Sequence, residues 1–149
     1  IIASDEYDEL ERGLKQRVNA LNAFLRDIYS DKNIIHDGVI PEEFVYTSPG
    51  YLPQVNGVTP PGGVFAHIAG EDLVQGEDGR WWVLEDNLRI PSGASYPLFV
   101  RDIERRADPK LFRDVSLRDN RDYPRLLRKT MDFVSTEGIA VVRQFRGSL

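Results

Sequence analysis

Cysteine is absent from the 149 residues. That excludes disulfides, thiolate zinc sites and cysteine nucleophiles, and it fits a cytoplasmic location. Histidine is nearly absent: His36 and His67 stand in unrelated contexts without a metal-ligand spacing, so both are expected to be structural. No apolar run approaches the roughly 20 residues that cross a bilayer, and the start of the chain lacks the basic-then-apolar pattern of a signal peptide. No membrane association is expected. Charge of one sign is not in excess either, since 19 basic and 24 acidic residues give a net charge of -5 with arginines scattered among acids. That argues against a dedicated nucleic-acid binder. The chain opens at Ile1 and its one methionine is Met131, so it reads as an excerpt of something longer.

What is present suits one main core. Apolar residues make up 41% of the chain, and 12 glycines bring the sum close to that of an ordinary globular protein. From Ser4 to about Tyr29, Tyr7, Leu10, Leu14, Val18, Leu21, Leu25 and Ile28 recur every three or four residues, the spacing of an amphipathic helix. Ser4 is placed to cap it, and Asp5, Glu6, Asp8 and Glu9 sit where the helix dipole favours negative charge. The middle is broken by Asp37-Gly38, Pro41, Ser48-Pro49-Gly50, Pro53, Asn56-Gly57 and Pro60-Pro61-Gly62-Gly63, which predicts loops and short strands. Val64 to Gln75 and Arg80 to Asp86 then read as two strands joined by the turn Gly76 to Gly79. A short helix is expected from Pro97 through Ile103, another from Pro124 toward Val134, and a strand from Ile139 to Val142. The fold class is α+β, a largely antiparallel sheet with flanking helices.

The hairpin carries the chemistry. Glu85 and Asn87 are two apart on an extended segment and so share a face, in company with Trp81 and Val83. If Gln75 pairs with Arg80, Asp72 lies opposite Val83 and becomes the diagonal neighbour of Glu85. A slip of one residue would reverse the face of Asp72. Two carboxylates and an amide oxygen suit Mg²⁺, which takes oxygen ligands and completes its shell with water and substrate phosphates. Phosphate chemistry is the corresponding reaction class. The same acids would also serve as a solvated face, and periodicity does not separate the two.

Glu71-Asp72-Leu73-Val74, then Asp78-Gly79, then Val83-Leu84-Glu85-Asp86-Asn87-Leu88-Arg89-Ile90-Pro91-Ser92-Gly93 resemble the metal-binding end of an ATP-grasp enzyme. Gly13 to Arg17, Ala20-Leu21-Asn22, Asp37 to Pro41 and Ser48-Pro49-Gly50 sharpen the resemblance to circularly permuted type 2 ATP-grasp proteins. These are related to the glutathionylspermidine synthetase-like amidoligases. The likeness runs from about residue 4 to residue 112. It implies that Asp72, Glu85 and Asn87 hold Mg²⁺ on the β- and γ-phosphates of ATP. Arg89 would be the catalytic cation, and Ser92, Gly93 and Ser95 a loop bordering the bound substrates. The implied partners are ATP, a carboxylate substrate and an amine substrate, peptide-like in character. Residues 1–115 would form the metal-binding part of a permuted ATP-grasp domain, and 116–149 a helix and the start of a following segment. Arg17 and Asn22 recur in the resembling proteins, but Arg17 falls off the apolar stripe, so a solvent or helix-to-loop role is the simpler expectation.

Part of an ATP-grasp site has no counterpart here. Lys15, Lys32, Lys110 and Lys129 are the only lysines, and none lies in a glycine-rich strand-turn-strand segment that would grip a nucleotide. The chain alone is therefore expected to be an incomplete and inactive portion of a carboxylate-amine ligase. The alternative is a non-catalytic binding module on an incomplete ATP-grasp scaffold. A glycosidase using Asp72 and Glu85 as its acid pair leaves Asn87 and Arg89 without a task. Ser48 lacks the glycine two residues earlier that a nucleophile elbow needs.

Overall fold

The computed structural model describes residues 2–135. The chain divides into two compact units, the first Ile1–Pro91 and the second from Ser92 onward. In the first, helix α1 (Ser4–Ile28) is followed by the short helices α2 (Asn33–His36) and α3 (Glu42–Tyr46). Two 3₁₀ turns (Pro53–Val55 and Pro61–Gly63) then lead into a two-stranded antiparallel sheet, β1 (Gly70–Gln75) and β2 (Trp81–Asn87). The second unit contains α4 (Ser95–Ala107), α5 (Leu111–Asp114) and α6 (Tyr123–Val134). Helices with a small antiparallel sheet agree with the α+β expectation. The strand expected at Ile139 to Val142 lies outside the described residues. No helix among the described residues is long and apolar enough to cross a membrane.

Helix α1 forms where the heptad-like spacing predicts it, with one correction at its start. Ala3, extended at φ -66° and ψ 154°, is the N-cap and makes no side-chain cap bond, and Ser4 is already inside the helix. At the other end, Asp27 reaches across the following turn. Its Oδ1 accepts from the Asn33 backbone N–H at 3.0 Å and its Oδ2 from that of Ile34 at 2.9 Å, satisfying two open donors of α2. These backbone bonds, Ile34 foremost, hold the Asp27 carboxyl below the usual carboxylate range.

The strand expected from Val64 to Gln75 begins only at Gly70. The reason is Asn22, a polar side chain only 7% exposed. Its Oδ1 accepts from the Phe65 and Ala66 N–H groups, both at 2.9 Å, while its Nδ2 donates to the Ala66 and Val18 carbonyls, both at 3.1 Å. The backbone at 65–66 finds its partners in one amide of α1 and needs no neighbouring strand. Around this joint lies the core, where Ile28, Tyr29, Val45 and Ala66 are buried. The Tyr29 ring stacks between Tyr51 and Phe65, with centroids 5.4 and 5.6 Å away, and its hydroxyl accepts from the Leu52 N–H. The middle segment expected to hold loops and short strands thus holds loops, short helices and an aromatic stack.

The hairpin register departs from the expected one twice, and the departures cancel. Gln75 pairs with Trp81 instead of Arg80, because the connection runs from Gly76 to Arg80, closed by the Gly76 N–H on the Arg80 carbonyl at 2.8 Å. This first slip alone would set Asp72 opposite Leu84. A β-bulge between Asp72 and Leu73 then leaves Leu84 as an extra residue, and Asp72 comes directly opposite Glu85. Gly70 pairs with Asn87 and Glu71 with Asp86. One consequence corrects the expected faces. Trp81 turns toward α1, where its indole N–H donates to Glu6 Oε1 at 2.8 Å, and Leu73 and Val83 share that inner face. Asp72, Glu85 and Asn87 occupy the outer face with Trp82, which is 53% exposed. Trp81 therefore does not pack beside the proposed ligands.

Two outcomes follow for the fold. Asn22→Leu, which keeps the branched heavy-atom skeleton without its polar atoms, strands the Phe65 and Ala66 backbone groups and should lower the unfolding free energy by roughly 2–4 kcal/mol in urea denaturation. The two tryptophans report the register: with Trp81→Phe the remaining emission should be red-shifted and readily quenched by acrylamide, and with Trp82→Phe it should be shielded. The reverse pattern would contradict the bulged register.

Candidate functional site

Two consecutive rungs of the hairpin carry four carboxylates. Asp72 and Glu85 face each other on the outer side, and Glu71 and Asp86 on the inner side. In an antiparallel pair, residues directly opposite bring their Cβ atoms within about 4.5–5.5 Å, where like charges repel unless a cation intervenes. On the inner side that cation is Arg17 of α1. Its Nε and terminal nitrogen meet the two Asp86 oxygens at 2.6 and 2.7 Å, the forked geometry of a bidentate pair, and Glu71 adds to the field around it. The guanidinium holds the Asp86 carboxyl below its ordinary range.

The outer side has no such partner. No lysine or arginine among the described residues forms an ion pair with Asp72 or Glu85. Asn87 lies beside Glu85, donating its Nδ2 to Glu85 Oε1 at 2.9 Å. This commits the amide hydrogens toward the carboxylate and leaves Asn87 Oδ1 as an oxygen donor for a cation. Gly70 makes room opposite Asn87: a Cβ there would stand 3.2 Å from Pro91 Cβ and 3.7 Å from Asn87 Cβ. Two carboxylate groups and one amide oxygen form a hard, oxygen-only donor set that fits Mg²⁺. Among the described residues no three His, Asp or Glu side chains gather closely enough to hold a metal. A cation here would thus need water or phosphate oxygens to fill its shell, as Mg²⁺ commonly does.

The other predicted residues are distributed as follows. Arg89 lies just beyond the end of β2, exposed and without an ion-pair partner among the described residues. Ser92, Gly93 and Ser95 belong to the second unit. Gly93 takes φ +90°, a conformation that a side chain would strain, and its carbonyl accepts from the Tyr96 N–H at 2.9 Å as the chain enters α4. Ser92 and Ser95 are exposed, and Ser95 is the first residue of that helix. His36 is the last residue of α2, and His67 lies in the segment before β1. A groove of about 750 Å³ runs between α1 and the inner face, lined by Leu10, Leu14, Leu73, Trp81 and Val83, on the opposite side from Asp72, Glu85 and Asn87. Arg17, expected to face solvent or a loop, instead reaches the hairpin, and its bidentate partner was visible in the sequence only as one acid among many.

Residues 1–143 match the family model described as a circularly permuted ATP-grasp. An uncharacterized protein of Synechocystis sp. is 46% identical over 131 residues, which is 88% of this chain and 27% of that protein. An uncharacterized protein of Mycobacterium leprae is 42% identical over 137 residues, 91% of this chain and 24% of its own length. A Frankia casuarinae protein named "Putative glutamate--cysteine ligase 2-2" is 43% identical over 111 residues, 74% of this chain and 13% of its own. The chain thus spans about a quarter or less of the length of these relatives. With matched residues covering nearly the whole sequence, the chain belongs to the circularly permuted ATP-grasp family.

Proposed function

We propose that this chain supplies the cation-binding portion of an ATP- and Mg²⁺-dependent carboxylate-amine ligase, related in chemistry to the glutathionylspermidine synthetase-like amidoligases. The observation that carries the reading is the outer face of the hairpin. Asp72 stands opposite Glu85 there, Asn87 flanks them, and no lysine or arginine among the described residues forms an ion pair with either carboxylate. Family membership and the ligase name of the Frankia relative support the same class of reaction.

In this reading Asp72, Glu85 and Asn87 would hold Mg²⁺, which would supply charge neutralisation for the phosphates of ATP. A substrate carboxylate oxygen attacks the γ-phosphorus, the bond to the ADP leaving oxygen breaks, and an acyl phosphate results. An amine then attacks the acyl carbon, inorganic phosphate departs, and an amide forms as the nitrogen loses a proton. The protein's work is positioning and charge neutralisation. Arg89, exposed and unpaired among the described residues, offers a planar fork of donors to the transferring phosphoryl group. Ser92, Gly93 and Ser95, at the entry to α4 where Gly93 takes φ +90°, are read as the loop that borders the substrates.

Mn²⁺ substitutes for Mg²⁺ and its free form is read directly by electron paramagnetic resonance. Saturable Mn²⁺ binding, tightened by ATP, is expected for the chain, with a loss of about tenfold or more in affinity for Glu85→Gln and for Asn87→Ala. Binding that is absent, or unchanged in both variants, would contradict the cation site and leave a non-catalytic module as the better description.

A further inference from the structure

The ion pair between Arg17 and Asp86 sits on the back of the proposed cation site. Asp86 lies between Glu85 and Asn87 in β2, so its side chain points to the inner face while theirs point outward. The rung next to it toward the turn contains the bulge, the place where the ladder is interrupted and the strand is free to slip. A bidentate guanidinium grip on Asp86 fixes two atoms of one side chain in one plane. It thereby fixes the direction of the backbone that carries Glu85 and Asn87.

Charge adds a second reason. Glu71 is directly opposite Asp86, and its Oε1 is buried without a hydrogen-bond partner. Arg17 is the cation that both inner carboxylates feel. Remove it, and the four acids of two adjacent rungs lose their one lysine or arginine ion pair among the described residues. The rungs then gain by splaying apart, which would spread the outer pair. A similar contact at the far end of the hairpin lacks this coupling: Glu6 Oε1 accepts from Trp81 Nε1 at 2.8 Å and from Gln75 Nε2 at 3.0 Å, next to the turn and away from the bulge.

We infer that Arg17 and Asp86 are positioning residues that set the spacing of Asp72, Glu85 and Asn87 for a divalent cation. This rests on the cation-site reading above, and the test separates the two. Mn²⁺ alone is titrated into the full chain and its variants, with thermal unfolding followed in parallel. Arg17→Lys, which keeps the charge but loses the fork, and Asp86→Asn should each weaken Mn²⁺ about tenfold. Glu6→Gln should lower Tm and leave Mn²⁺ affinity within about twofold, because it loosens the same helix from the hairpin at the wrong end. Reversing the pair, Arg17→Asp with Asp86→Arg, should recover part of the affinity that Arg17→Asp alone loses. The inference is overturned if Glu85→Gln loses binding while Arg17→Lys and Asp86→Asn bind as wild type. It is equally overturned if Glu6→Gln loses affinity in step with its Tm, since the pair would then act only through stability. Failure of wild type to bind Mn²⁺ removes the site and the positioning role together.

Discussion

The parity of strand pairing governs everything the hairpin can do. Side chains alternate along a strand, so each one-residue slip exchanges the faces of all residues beyond it. Here the long connection from Gly76 to Arg80 contributes one slip and the extra Leu84 contributes another. The sum returns Asp72 to the same side as Glu85 and places the two in direct opposition. Without the second slip, Asp72 would stand over Leu84 and the acids would be dispersed. The bulge is therefore part of the proposed cation site and not an irregularity beside it.

The same arithmetic assigns the two faces different tasks. The inner face is tied to α1 by Arg17 with Asp86 and by Glu6 with Trp81 and Gln75, and apolar Leu73 and Val83 lie between those tethers. The outer face presents acids with no lysine or arginine ion pair among the described residues, together with the exposed Trp82 and Leu84. A charge left uncompensated on a folded surface repels its neighbours, and a bound cation is the simplest relief. That is the physical link between this architecture and the phosphoryl chemistry proposed for it.

Much of the architecture was legible in the residues. The spacing from Tyr7 to Ile28 located α1 to within one residue of its end, and Pro124 marked the start of α6. The hairpin was legible from its β-formers and the shared face of Glu85 and Asn87 from their spacing, whereas Asp72 joins them only because two shifts from the expected register cancel. What was not legible depended on partners distant in sequence. The strand stopped short at Gly70 because Asn22, more than 40 residues earlier, satisfies the backbone at Phe65 and Ala66. The bulge at Leu84 has no glycine or proline to announce it, so Trp81 was assigned to the wrong face. Arg17 fell outside the apolar stripe and read as solvent-facing, since helix periodicity finds apolar contacts and is blind to a long side chain reaching sideways to an acid. The short helices between Asn33 and Tyr46 are held by local bonds such as those of Asp27, which composition alone assigns to turns.

The claim at the centre of this account is that Asp72, Glu85 and Asn87 share one cation on the outer face. Paramagnetic broadening in ¹H–¹⁵N spectra of the chain, with Mn²⁺ added at low stoichiometry, tests it most directly. Selective loss of the Asp72 and Glu85 amides and of both the backbone and the side-chain signals of Asn87 is the predicted result. Broadening centred instead on the acidic first turn of α1, or spread evenly over exposed acids, would contradict it.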